Sequence, residues 1–333
     1  MLVSFGIFFS GQQQCCSGKP GQIYPTPSNS PPSVFHMKSR INQTEPPNFA
    51  RMALTSDVVP EFTPPDVVRK VHHGDNLSIE YAIWQPAAKT HHCTIALHGF
   101  SRPLEDMLGI RPLLEENTAV LMPHLPAHGR SSGHHRPLDV SQWWRALEDI
   151  LEQEGLHFNG HLIGYSLGGR VALACYSLAP SRFSKVTLLA PDGLVKNPGY
   201  RLAVDTALGR AWMKQSERQR KGVIRLLNAL HSWRVMPNHL HQFFLFHLDS
   251  EEMWAMVIDC WCSLQEFWPP RAHRMRSLSK ANATEMEAHF GSRDKVIKAA
   301  NARKLKGVCP VHFHPCGHGL LRTDIIERIA SPS

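Results

Sequence analysis

No apolar run comes near the length of about 18 residues that a bilayer-crossing helix needs, which excludes a transmembrane helix. Cysteine follows no framework either. The eight residues, Cys15, Cys16, Cys93, Cys175, Cys260, Cys262, Cys309 and Cys316, repeat no spacing and form no pair of C-x-x-C units. Cys93 and Cys175 stand inside apolar runs, where buried reduced thiols belong. The pattern is that of a reducing compartment, not of a disulfide scaffold. Charge of one sign is nowhere concentrated. Lys and Arg number 36 against 28 Asp and Glu, a net charge of +8. The densest basic groups, Lys214, Arg218, Arg220 and Lys221, then Arg271, Arg274 and Arg276, are short. A nucleic-acid partner and stable membrane insertion are not expected; the excess suits a solvated face or attraction of an anionic substrate. Internal repeats are missing. The apolar start, Met1–Phe9, has no Lys or Arg before it and no clean small-x-small site after it. A cytoplasmic location is expected, with secretion as the alternative.

What is present is enough apolar residue, 42% of 333 positions, for a large core. The length fits one large α/β domain with an insertion. Residues 1–55, with Gln12–Gln14 and the proline-rich stretch Pro25–Pro32, read as a disordered leader. From residue 65 the chain alternates. Val67–Val71, Leu77–Trp84, Thr94–Leu97, Ala119–Met122, Leu162–Tyr165, Lys185–Ala190, Glu285–Phe290 and Val311–His314 read as strands. Leu104–Glu116, Ser141–Glu154 (with Ser141 as its N-cap) and Leu167–Ser177 read as helices. Alternation of this kind predicts an α/β fold with a mainly parallel sheet. The core is expected at 65–193 and 281–330. Residues 194–280, without a clear strand, are expected to be a helical cap over the sheet's carboxyl edge.

The strongest local signal is Gly164-Tyr165-Ser166-Leu167-Gly168-Gly169, with a strand before it and a helix after it. A turn that tight strains the backbone at Ser166 and holds its hydroxyl above the sheet edge, near the positive end of the helix. Such a serine needs a base and a group to orient that base. Asp294 follows the Glu285–Phe290 strand, and His318 follows the Val311–His314 strand between two glycines. Both fall at carboxyl ends of strands, where open α/β sheets place ligands. Asp192 is the competing acid, and Asp294 is also placed to cap the stretch beginning at Lys295. The oxyanion hole calls for two backbone N–H groups, from Leu167 and from Phe100 in the loop after Thr94–Leu97. His312, His314, Cys316 and His318 alternate in a way that suggests a soft metal. His318 is already used as a base, however, and neither metal nor cofactor is expected.

Leu-His-Gly-Phe at 97–100, Leu-Pro-Ala-His-Gly-Arg-Ser at 125–131, Gly-Tyr-Ser-Leu-Gly-Gly-Arg at 164–170, Gly-Ser-Arg-Asp at 291–294 and Cys-Gly-His-Gly at 316–319 resemble the α/β-hydrolase superfamily, in the right order over residues 65–330. The resemblance implies an eight-stranded, mostly parallel sheet, a cap after the sixth strand and a Ser166–Asp294–His318 triad. Dehalogenases and epoxide hydrolases of that superfamily use an Asp nucleophile, which Ser166 excludes. Two features depart from the pattern. His124 stands where many relatives have Asp, and the loop at 98–100 has one glycine where many short-acid esterases have three. Gly164–Arg170 together with Leu97–Phe100 also resembles the menaquinone-pathway synthase of 2-succinyl-6-hydroxy-2,4-cyclohexadiene-1-carboxylate. That likeness implies that Arg170 binds a substrate carboxylate; a helix-surface ion pair is the plainer reading of Arg170.

The expectation is a cofactor-free serine hydrolase acting on an ester, thioester or related acyl bond of a small molecule. The alternatives are a carbon–oxygen lyase that uses the same triad for proton abstraction, and a non-catalytic binding module. Trp212, Trp233, Phe243, Phe244, Trp254 and Trp261 are candidates to line an apolar pocket in the cap, or to pack its helices. No feature of the sequence fixes an oligomeric state.

Overall fold

Short apolar runs such as Thr94–Leu97 and Ala119–Met122, buried throughout, belong to the middle of a sheet that is covered on both faces. The computed structural model describes residues 67–74, 77–132, 137–196, 198–236 and 238–331, all within the unit that runs from Pro46 to Ser333. The leader expected at 1–55 lies outside the described residues. Eight strands, β1 (Val68–His73), β2 (Ser78–Trp84), β3 (His92–Leu97), β4 (Ala119–Pro123), β5 (His157–Tyr165), β6 (Lys185–Leu189), β7 (Glu285–Gly291) and β8 (Val311–His314), form one sheet in the order β1-β2-β4-β3-β5-β6-β7-β8. β2 runs antiparallel to β1 and to β4. The pairings from β4 through β8 are parallel. All of β4 is buried, as a doubly covered parallel strand should be.

The strand order reverses between β3 and β5. The chain steps from β3 outward to β4, returns to lay β5 on the other side of β3, and then proceeds through β6, β7 and β8. A crevice opens at the carboxyl ends of β3 and β5, the place where open α/β sheets bind ligands. Leu97 pairs with Gly164 there, so the loop beginning at His98 and the turn at Ser166 start side by side.

Helix α1 (Val140–Gln153) buries Trp143, Trp144, Leu147, Ile150 and Leu151, a 3.6-residue period that makes one apolar face. Its N-cap is Asp139, whose carboxylate accepts from the N–H groups of Ser141 and Gln142 at 2.6 and 3.2 Å. Ser141, the expected cap, donates its own hydroxyl to that carboxylate; the charged oxygen outcompetes the neutral one for the free N–H groups. Helix α2 (Leu167–Leu178) is buried without a break from Leu167 to Tyr176, so it is packed on all sides. The helix expected over Leu104–Glu116 is a shorter 3-10 stretch, Leu104–Leu113. Pro112 inside it cannot donate the backbone hydrogen bond that an α-helix needs there.

Between β6 and β7 the described residues form six α-helices, α3 (Pro198–Asp205), α4 (Ala207–Arg218), α5 (Arg220–Ser232), α6 (Asn238–His247), α7 (Glu251–Ser263) and α8 (Ala272–Asn282), with a 3-10 turn at Leu264–Glu266. The first five share a small core of their own, with Val204, Met213, Leu227, Trp254 and Ile258. Leu264, Phe267 and Met275 instead join the main core under the sheet. Packing thus divides the stretch 194–280: α3 to α7 carry the separate cluster, and α8 belongs with the sheet. A last helix, α9 (Thr323–Ala330), follows β8 and packs on the 3-10 stretch.

The cap at α1 is testable. Asp139→Ala should cost about 1 kcal/mol, read as a lower urea midpoint at unchanged slope. Unaltered stability would show that the end of α1 is held by its tertiary contacts alone.

Candidate active site

Ser166 stands between β5 and α2 with φ 53° and ψ −115°, a conformation that costs a non-glycine residue roughly 1–3 kcal/mol. Its surroundings impose it. A Cβ at Gly164 would lie 2.6 Å from the Gly168 carbonyl oxygen, one at Gly169 2.8 Å from Pro191, and one at Gly168 would collide with the Leu97 carbonyl. Only glycines let β3, β5 and the first turn of α2 come this close. The Ser166 N–H donates to Leu189 O at 2.8 Å, and Ser166 O accepts from the N–H groups of Gly169 and Asp192, each at 2.9 Å.

His318 comes to Ser166 from the other side of the crevice. Its Nε2 lies 3.0 Å from Ser166 Oγ and its Nδ1 2.7 Å from Asp294 Oδ2. The Asp294 side chain is fully buried. Its other oxygen accepts from the N–H groups of Val296 and Ile297 at 2.7 and 2.9 Å, so the same carboxylate caps the turn that follows. The imidazole faces Asp294, whereas Asp192 meets the serine turn through its backbone. The loops carrying the acid and the histidine are tied together: Ser292 N–H donates to His314 O at 2.8 Å and Arg293 N–H to Cys316 O at 3.0 Å.

Leu167 begins α2, directly after Ser166. Phe100 belongs to the loop after β3. Gly99 before it packs against the serine turn so tightly that a Cβ there would lie 3.1 Å from the Tyr165 ring and 3.3 Å from Ser166 Cβ. Leu167 thus adjoins Ser166 in the chain, and Phe100 adjoins the glycine that packs on it. Arg170 is neither a surface ion pair nor an open anion site. It is buried, and it donates to the carbonyls of Phe267 (2.8 Å) and Leu264 and to the Tyr200 hydroxyl at 3.1 Å. Its guanidinium stacks 3.7 Å over the Trp268 ring. It ties α2 to the end of the inserted helices.

Sequence reasoning missed three supports. Tyr165 reaches across the crevice to donate to His318 O at 3.0 Å. Three histidines pin the loop that presents Phe100. His98 Nδ1 donates to Gly99 O at 2.7 Å while its Nε2 accepts from Leu125 N–H at 3.1 Å. His128 Nδ1 donates to Pro126 O at 2.9 Å while its Nε2 accepts from Ser101 N–H at 3.0 Å. These partners fix both rings as neutral tautomers. His124 Nδ1 lies 3.0 Å from His98 Nε2. The third support is Glu80 on β2, buried against the loop after β4. It accepts from Arg130 N–H at 2.7 Å and Arg130 Nε at 2.8 Å and stands 3.7 Å from His124 Nε2. A carboxylate from a neighbouring strand thus serves the loop at whose start His124 replaces the common Asp. Burial raises its pKa, but the Arg130 N–H and guanidinium outweigh that and hold it below the usual value. Its signal in the sequence was one acid in the middle of an apolar strand.

Several expectations need correction or restriction. Trp212 and Trp233 do not line a pocket; they are 45% and 72% exposed. Trp254 is buried in the small core of the inserted helices, with Phe244 and Trp261 packed beside it. The side chain of Phe243 lies outside the described residues. Among the described residues no group of three or more His, Cys, Asp or Glu is arranged to hold a metal ion. The alternating residues on β8 and in the loop after it are used separately, with His314 paired to His289 Nδ1 at 3.1 Å and His318 to Ser166.

A model of the alpha/beta hydrolase family matches residues 95–330. The chain belongs to the alpha/beta hydrolase family. Among curated proteins, this alpha/beta hydrolase is 30% identical over 158 residues to the dihydrolipoyllysine-residue acetyltransferase component of the acetoin cleaving system of Cupriavidus necator, covering 46% of this chain and 39% of the relative. It is 30% identical over 103 residues to monoacylglycerol lipase abhd6-B of Xenopus laevis, covering 30% of this chain and 31% of the lipase. The chain spans well under half the length of these relatives. Among solved structures, an epoxide hydrolase (TM-score 0.51, 15% identity, 80% of this chain and 97% of that one) and a serine hydrolase from Cycloclasticus zankles (TM-score 0.50, 18% identity, 79% and 94%) share the fold. No helix among the described residues is long and apolar enough to cross a membrane.

The neutral histidines make a prediction about pH. Burial pushes His124 and His128 down to about 4 and His98 well below its ordinary value. The unfolded chain takes up protons on these rings near pH 6.5; in the folded chain His124 and His128 do not until about pH 4, and His98 does so only well below its ordinary value. Their contribution to stability is therefore complete above about pH 6.5 and is lost as the pH falls toward 4. Each should add about 1.4 kcal/mol per pH unit to the loss, measured by urea unfolding. His128→Gln, which cannot titrate, should flatten the slope by that amount. An unchanged slope in that variant contradicts the assignment.

Proposed function

We propose that this alpha/beta hydrolase cleaves an ester, thioester or related acyl bond of a small molecule with Ser166 as nucleophile. One observation carries the reading: a single imidazole, His318, is within hydrogen-bond reach of both Ser166 Oγ and a fully buried carboxylate, at 3.0 and 2.7 Å. Asp294 fixes the tautomer with the proton on Nδ1, which leaves Nε2 free to accept from the serine. Ser166 Oγ attacks the acyl carbon as Nε2 takes its proton. The developing oxyanion is held by the N–H groups of Leu167 and Phe100, and Asp294 stabilises the imidazolium. His318 then protonates the leaving group. Water, deprotonated by the same nitrogen, resolves the acyl-enzyme and restores Ser166. No cofactor enters this sequence of steps.

Two of the relatives, an acetyltransferase component and a monoacylglycerol lipase, are named for acyl groups, which supports the acyl reading over other uses of the fold. The lyase alternative leaned on Arg170 as a carboxylate ligand. With the guanidinium given to two carbonyls, a tyrosine hydroxyl and the Trp268 face, that support is gone. A non-catalytic binding module has no use for the Ser166–His318–Asp294 hydrogen bonds.

A panel of p-nitrophenyl esters, acyl thioesters and monoacylglycerols tests the reading. Hydrolysis should fall by on the order of 10⁴-fold or more in Ser166→Ala and in His318→Ala. Turnover that survives Ser166→Ala would overturn it. So would a native protein inert to every member of the panel.

A further inference from the structure

Exposed apolar side chains gather in one part of the chain. Of the ten large hydrophobic residues exposed among the described residues, seven lie between Val195 and Val235. They are not loop tips alone. On α4, Leu208 (82% exposed) and Trp212 stand one turn apart, with Leu208 turned away from buried Met213 and Trp212, 45% exposed, at the edge of the buried side. Leu226 on α5 and Trp233 (72% exposed) just past its end stand two turns apart, at the margin of the side that buries Val223 and Leu227. α4 and α5 pack on one another. Leu202 and Val235, 69% and 67% exposed, extend the apolar set at either end. Seven exposed apolar side chains on consecutive helices are more than the single scattered ones that a protein surface ordinarily carries.

The same stretch holds almost the whole charge imbalance. Residues 194–236 contain nine Lys and Arg and two acids, an excess of seven, against eight for the full chain. Lys214, Arg218, Lys221 and Arg225 are all exposed. The sequence read this charge as thinly spread because the basic residues recur at uneven intervals of one to nine positions. Folding into consecutive helices is what collects them.

We propose that α3, α4 and α5 form a docking face for an anionic phospholipid surface. Exposed leucine and tryptophan beside lysine and arginine is the composition of an interfacial segment. The apolar side chains enter the acyl boundary, the indoles sit at headgroup depth, and the cations meet lipid phosphates. Other occupants fit less well. A second copy laid on the same face would set two strongly basic surfaces against each other. Residues 1–66 carry four basic and four acidic side chains and offer no complementary charge. A nucleic acid would satisfy the cations but has no use for solvent-facing Leu202, Leu208 and Val235. Docking through α3–α5 is peripheral and needs no spanning helix. It is independent of the catalytic reading, since it concerns a surface and not Ser166.

The test is co-sedimentation of the full chain, carrying Ser166→Ala so that no lipid is hydrolysed, with two kinds of vesicle. One is phosphatidylcholine alone; the other contains about 30% phosphatidylserine. The protein should bind the anionic vesicles and not the neutral ones, and binding should weaken with added salt. Arg218→Glu/Lys221→Glu/Arg225→Glu and Leu208→Ser/Trp233→Ser should each lose at least about tenfold in vesicle affinity. These residues are exposed, so thermal melts should match the parent. The proposal is overturned by absence of binding, by equal binding to neutral vesicles, or by variants that bind as the parent does. It is equally overturned if duplex DNA displaces the vesicles, or if dimerisation through Trp233 removes the binding.

Discussion

At Gly168 the start of α2 presses so closely on the last carbonyl of β3 that no side chain fits between them. Gly164 and Gly169 allow the same intimacy with the helix itself and with Pro191. The rest of the site depends on this contact. It forces Ser166 into a positive φ, which turns the hydroxyl out of the sheet and toward His318. The loop after β3 also packs on the serine turn, with Gly99 against Tyr165 and Ser166. Geometry, not any unusual residue, makes an ordinary serine a candidate nucleophile. The sheet supplies the frame, because its order reverses at the two strands that carry these parts.

Electrostatic support is arranged in layers around that contact. Asp294 is fully buried, yet both of its oxygens are satisfied, one by His318 and one by two N–H groups of the following turn. An unpaired carboxylate in that position would be expensive. Behind the loop at Phe100, His98 and His128 act as neutral hydrogen-bonding wedges. Glu80 closes the set from β2 by holding Arg130. The replacement of a common Asp by His124 is thus absorbed by a carboxylate from another part of the chain.

The central strands and the site were legible in the sequence because each rests on a local pattern. Short apolar runs marked β3 to β7, and Gly164–Gly169 marked the serine turn. Asp294 and His318 were legible because each follows directly on a strand. What was not legible depends on contacts between distant residues. Arg170 looked available because its partners, Phe267, Leu264 and Tyr200, are brought to it only by folding. Glu80 and Tyr165 act across 44 and 153 residues, on His124 and His318. Trp212 and Trp233 were candidates for a pocket because aromatic residues favour burial, but the helix faces that carry them point to solvent. The cap at Asp139 was missed by two residues, a margin at which neighbouring polar side chains compete for the same N–H groups.

The most direct test of an activated serine at the turn is labelling with a fluorophosphonate, followed by mass spectrometry of the modified peptide. The native chain should carry one adduct, on Ser166, and heat-denatured protein and His318→Ala should carry little or none. Failure of folded protein to react, or an adduct that persists after denaturation or maps to another residue, would contradict the account.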